Sequence, residues 1–283
     1  MESYNNPYID RLIGISPEQK ELEKRYHEYI IAHIEKIGGE KIEDFEIEKT
    51  EKDVSLIQFV ELAIDEMLRY YGRTKRIGIP LANIHILKMD GTKDFTKGRL
   101  IDGAHSSSQQ SILVDRKPSD IQFSVSLFHE LLHVKCFTAF QVIADDKSNE
   151  TGTKVSSYRQ GMSVVSRDGK TIYLKSVEEA VIAYLTADFY KSITKEPLFK
   201  NEMDAVNNGS IAIDTGRQNE LSQLHAAVSV IYERNKHLFP DSDAVLRLFI
   251  DSQVNGNLLE LGKLIENTFG PGTLKKIDPE SIS

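Results

Sequence analysis

From Ser119 or Asp120 to about Ala144 the chain keeps an apolar period suited to a helix. Ile121, Val125, Phe128, Leu131, Leu132, Phe137 and Phe140 form the stripe, which predicts a long central helix. In its middle stands His129-Glu130-Leu131-Leu132-His133. At 3.6 residues per turn, positions i and i+4 share one face, so two imidazoles there can grip one ion. Glu130 projects beside them, where a carboxylate can take a proton from metal-bound water without ligating the metal. Two helical histidines can also simply pack or face solvent. Phe128, Leu131, Leu132 and Phe137, however, sink this helix in a core. Burying two histidines and a glutamate with neither metal nor partners costs on the order of several kcal/mol. The chain is therefore expected to fold around this helix and to hold Zn2+ on His129 and His133, with Glu130 as general base.

A catalytic zinc site needs a third protein ligand and an open fourth position. A long motif with a third histidine and a preceding glycine would place them at 139 and 136, where the chain has Ala139 and Cys136. The best supplier is SVEEAVIAYLT, Ser176 to Thr186, a helix with glutamate in its first turn; Glu179 lies 46 residues after His133 (179 − 133). Three alternatives stand beside it. Ser176-x-x-Glu179 also reads as a capping box, in which the glutamate folds back on the helix N-terminus. Glu178 can take the ligand's place, and so can Asp145 or Asp146, 12 and 13 residues past His133. Cys136 reads as a small buried apolar residue.

HELLH and EEAVIAYLT together resemble the gluzincins, zinc peptidases whose second helix, reading Asn-Glu-Ala/Gly-x-x-x-Tyr/Phe, gives a glutamate as third ligand. The resemblance, to a small, minigluzincin-like form, covers about Asp120–Tyr190. It puts the ligand on Glu179, with Ala180 and Tyr184 following and Glu178 where asparagine is common. It implies an α+β, zincin-like metallopeptidase fold and a zinc metallopeptidase acting on a peptide or protein substrate. It also implies a Tyr or His donor to the oxyanion, for which Tyr184 and His225 are the leading candidates, with Tyr158 and Tyr232 behind them. Gly103–Val114 would contain the sheet edge that pairs with substrate backbone, and His105 there reads as an exposed loop histidine that could also touch substrate. One departure stands out: four residues after the ligand the family commonly has an acid that orients a histidine, and here Ala183 stands there, so another acceptor must orient it. The rival readings are a zinc hydrolase acting on another amide or ester, and a non-catalytic scaffold that binds a protein partner.

The remaining pattern divides the chain into N-terminal helices (1–75), a catalytic core (76–195) and a helical C-terminal subdomain (196–283). Helices are predicted over about Pro17–Ile37 and Lys52–Tyr71. Ile77–Ile79, Ile84–Leu87 and Ile112–Val114 are expected as strands of one small mixed sheet, with Asp90–Gly103 a loop. Residues 145–175 read as loops with a hairpin across Met162–Leu174. Later helices fall near Arg217–His237, Ala244–Ser252 and Asn257–Phe269. A formal charge of −8 argues against nucleic acid as partner, and the basic cluster Arg69 to Arg76 reads as a solvated helix end. With no signal-like N-terminus, no spanning apolar stretch and a single cysteine, a cytoplasmic protein without membrane association or disulfides is expected.

Overall fold

The computed structural model describes residues 9–14, 24–28, 42, 44–75, 77–98, 102–106, 110–144, 153–211 and 213–281. Of the helix expected over 17–37, residues 24–28 are described and are helical (α1); the rest lies outside the described residues. The chain mixes α and β structure. In order follow β1 (Arg11–Ile13), α2 (Glu51–Tyr70), β2 (Ile84–Leu87), the short α3 (Gly91–Phe95), β3 (Gly103–Ser106), β4 (Ser111–Asp115) and α4 (Asp120–Lys135). Then come β5 (Thr138–Ala144), β6 (Thr153–Gln160), β7 (Ser163–Val165), β8 (Thr171–Tyr173), α5 (Lys175–Ile193), α6 (Lys200–Asn207), α7 (Gln218–Arg234), α8 (Ser242–Val254), α9 (Leu258–Phe269) and β9 (Glu280–Ser281).

Two sheets form. One is small and mixed, in the order β2-β4-β3, with β2 parallel and β3 antiparallel to β4. Ile77 and Ile79 belong to no strand, although both are buried. The other sheet, β1-β5-β6-β7-β8-β9, has six strands. It shows the limit of the apolar stripe: the helix expected to run to Ala144 ends at Lys135. Cys136 turns extended (φ −71°, ψ 178°), and its carbonyl is taken by Arg73 Nη2 at 3.3 Å and Thr138 Oγ1 at 3.3 Å. Strand β5 then begins, rich in β-branched and aromatic residues, parallel to β1 and antiparallel to β6. Arg73, from the cluster expected at a solvated helix end, is buried, and it also binds Asp10 and the Val254 carbonyl.

The central helix α4 is tied down along its length. At its N-terminus Ser119 Oγ accepts from Gln122 N, while Glu202 of α6 accepts from Ser119 Oγ (2.6 Å), Asp120 N (3.0 Å) and Ile121 N (3.1 Å). A carboxylate there satisfies orphan amides and suits the positive end of the helix dipole. At the other end Lys135 pairs with Glu61 and Asp65 of α2. Between the ends, α4 buries Ile121, Phe123, Val125, Leu127, Phe128, Leu131 and Leu132 against α2, α5, β3 and β4. The same buried apolar cluster continues into α7, α8 and α9. No described helix is long and apolar enough to cross a membrane.

Candidate metal centre

The two histidines of α4 meet α5, which packs across it. His129 Nε2 and His133 Nε2 are 3.3 Å apart, and Glu179 Oε2 stands 3.5 Å from the first and 3.6 Å from the second. Donors about 2.0–2.2 Å from a tetrahedral zinc lie about 3.3–3.6 Å from one another. The three observed edges fall in that span, and among the described residues this is the one His/Cys/Asp/Glu group that could hold a metal.

The far nitrogens explain why the near ones face inward. His133 Nδ1 lies 3.1 Å from Glu178 Oε1, a buried carboxylate, and so donates to it. His129 Nδ1 lies 3.5 Å from Thr186 Oγ1, whose own proton goes to the Ile182 carbonyl at 2.8 Å. Both acceptors put the ring proton on Nδ1 and leave an Nε2 lone pair toward the centre. With both rings neutral, two lone pairs and a carboxylate oxygen converge, and Glu179 Oε2, in a residue 8% exposed, has no hydrogen-bond partner among the described residues. Such an arrangement could share a cation, either a metal ion or a second proton on His133. Burial opposes a charge on His133, but Glu179 and Glu178 outweigh it and hold its pKa well above the ordinary histidine value. The same pairing pulls Glu179 far below the carboxylate range against its burial.

Glu178 thus supplies the orienting acceptor that Ala183 cannot. The Ser176-to-Glu179 capping box is not formed: the N-cap position falls on Leu174, in left-handed backbone, and α5 has no side-chain cap from it. The Ser176 N–H is met instead by Asp278 Oδ2 at 2.9 Å, which leaves Glu179 free to face α4. Asp145 and Asp146 lie outside the described residues. Cys136 is buried in the core, its thiol pushed by burial up to about 12.

Glu130 reaches the other side of the centre and is shaped by strand β3. His105, read from sequence as a loop histidine, is in that strand, stacked on His133 with centroids 4.1 Å apart. Its Nδ1 lies 3.2 Å from Glu130 Oε2. Gly103 leaves room for the same carboxylate: a Cβ there would stand 2.8 Å from Glu130 Oε1. Burial pushes the Glu130 carboxyl up, but the His105 hydrogen bond and the neighbouring His129 and His133 outweigh it and hold it below its usual value.

A cleft of about 370 Å³ opens over His129 and Glu130, walled by Gly103, Thr186 and the loop from Asp214 to Arg217. Tyr184 and His225 are not in that wall. Five residues past Glu179, Tyr184 points to another side of α5; its ring pairs with His225 at 6.1 Å, and the two line a separate pocket with Tyr232. The residue that does enter the cleft is Arg217, whose Nε lies 3.5 Å from Glu179 Oε2. Nothing in the sequence marks it, since one arginine ahead of a helix has no periodic signature. No family model, curated protein or solved structure matches this chain.

Proposed function

We propose that the chain is a zinc-dependent metallopeptidase of zincin-like, gluzincin-type build, with His129, His133 and Glu179 as the residues that would hold zinc. The observation that carries this reading is the triangle of donor atoms with 3.3, 3.5 and 3.6 Å edges, oriented from behind and open to a cleft on its remaining side. Bound there, zinc would supply Lewis-acid polarisation of a carbonyl and a water of lowered pKa. The order of small mixed sheet, histidine helix, glutamate helix and helical C-terminal part supports the zincin-like assignment.

The chain's own residues divide the remaining work. Glu130, ionised and outside the donor triangle, accepts a proton from water and returns it to the leaving amine. His105 and the absent side chain of Gly103 set where that carboxylate sits. Strand β3 is the edge of its sheet, so its outer backbone groups can pair with an extended peptide. A structural zinc site would not need Glu130 or a cleft beside it, which favours catalysis over a scaffold role.

The test is Glu130→Gln. The variant should keep one zinc per chain and lose peptide hydrolysis by about two to four orders of magnitude. Wild-type protein that binds no stoichiometric zinc after mild dialysis, or a Gln variant that cleaves a peptide library at the wild-type rate, would refute the reading.

A further inference from the structure

Among the described residues lining the cleft, Arg217 is the one arginine or lysine. Its loop is built onto the histidine helix. Gln122, seven residues and two turns before His129 on α4, donates to the Asp214 carbonyl at 2.9 Å and accepts from Asp214 N at 2.8 Å. Asp214 Oδ1 in turn accepts from Gly216 N at 2.7 Å. Gly216 and Arg217 then take left-handed backbone, with φ 69° and 53°. Glycine adopts that conformation freely, whereas arginine adopts it at a cost. The clamp and the turn together fix the guanidinium beside the donor triangle.

Glutamates answer its charge, but its N–H donors are not all used where it stands. Nη1 binds Glu220 at 3.1 Å. Nε faces Glu179 at 3.5 Å, beyond a good hydrogen bond, and Nη2 makes no hydrogen bond among the described residues. Of the acids lining the cleft, Asp214 is committed to the Gly216 amide, Asp102 to Lys117 and Glu130 to His105, although Glu130 also attracts the guanidinium. Glu179 has its own demand from the two histidines. A planar guanidinium with donors to spare, half-exposed at the wall of a cleft, suits a carboxylate.

Bond lengths say which carboxylate it suits best. The carboxyl carbon of the residue after a scissile bond lies only about 3–4 Å from the scissile carbonyl carbon, and an acidic side chain of that residue reaches farther. Resting on the peptidase reading, we infer that Arg217 is a specificity-determining residue that receives a substrate carboxylate one residue beyond the scissile bond, foremost a free C-terminal one. The activity is then the release of C-terminal residues from peptides.

The experiment uses zinc-loaded Glu130→Gln protein, which retains uncleaved peptide, and three N-acetylated peptides of otherwise one sequence. One ends in a free carboxylate, one in an amide, and one in an amide with glutamate as its last residue. The free acid should bind about 10- to 100-fold more tightly than the amide, the factor for one charge-assisted hydrogen bond. Adding Arg217→Gln should bring that ratio to near one, and so should Arg217→Gly, which suits the left-handed backbone and guards against a folding defect. If the glutamate-bearing amide equals the free acid and depends on Arg217 alike, the subsite stands with the side chain as its carboxylate. A ratio near one in the protein that retains Arg217, or equal weakening of all three peptides by its loss, overturns the subsite. Turnover of the same peptides by wild type is read separately. Its absence beside an Arg217-dependent binding ratio would sink the peptidase reading and leave the carboxylate subsite standing.

Discussion

On the proposed zinc reading, adjacent glutamates on α5 have different tasks at the centre, and their removal should separate in one titration. Glu179 places an oxygen in the donor triangle, while Glu178 accepts from the far nitrogen of His133 at 3.1 Å. Zinc that binds only the native state stabilises it by RT ln(1 + [Zn]/Kd), about 2.7 kcal/mol at a free concentration 100 times the wild-type Kd. Loss of an orienting acceptor typically weakens a metal site about 10–100-fold. At the same zinc concentration Glu178→Gln should therefore keep about 0.4–1.4 kcal/mol of that stabilisation. Glu179→Ala, which removes a donor, should weaken binding beyond about 1,000-fold and keep less than about 0.1 kcal/mol. With roughly 2–4 °C per kcal/mol for a chain near this size, thermal unfolding of each protein with and without zinc resolves the three cases. Comparing each variant with its own metal-free form removes any change in folding stability. If Glu179→Ala keeps the wild-type shift while Glu178→Gln loses it, the two roles are exchanged. If both keep it, α5 does not supply the third ligand.

Two further outcomes follow from the same geometry. Gly103→Ala would press a methyl group to 2.8 Å from Glu130 Oε1; it should cost about 1–3 kcal/mol of stability and slow hydrolysis while zinc per chain stays at one, and unchanged turnover would show that β3 does not position the base. Zinc uptake should release protons, because Glu179 and Glu178, outweighing burial, hold a proton on His133 above the ordinary histidine range and zinc must displace it. Lower pH favours the proton, so affinity should fall on acidification by about tenfold per unit for each proton displaced. Calorimetry in buffers of different ionisation enthalpy measures this, and a pH-independent affinity between about 6 and 8 would refute it.

The parts of the site that could be read from sequence are those set by one helical period. His129, Glu130 and His133 share a face whatever surrounds them, and Glu179 is legible as the first-turn acid of a helix read as starting at Ser176. The helix starts differently, from Leu174 in left-handed backbone, yet Glu179 still faces the histidines because the period carries it there. Strand β5 was hidden in the apolar run after His133: Phe137 and Phe140 fit a helical stripe as well as a strand, and the break at Cys136 depends on Arg73 and β6, far away in the chain. Strand β6 is largely polar on sequence, TKVSSYRQ, and offers no apolar alternation to detect. His105, Gln122 and Arg217 acquire meaning only from partners 25 to 92 residues off (130 − 105, 214 − 122, 217 − 179).

The carboxylate of Glu202 on the first amides of α4 has a consequence for the order in which the chain can become competent. The helix that carries both histidines is closed at its start by a residue 83 positions beyond Ser119, gripped through Gln122 by one 92 positions away, and joined to its third donor across 46 positions (179 − 133). All three closures come from downstream, and each must overcome loop entropy before its contact rewards it. A nascent chain released only through β8 would hold HELLH with an unfinished helix end and two donors. On the proposed reading, tightly held zinc would report that α5 and α6 have already docked, and the interval between synthesis of His133 and metal retention should track the arrival of Glu202 rather than the making of the histidine helix itself.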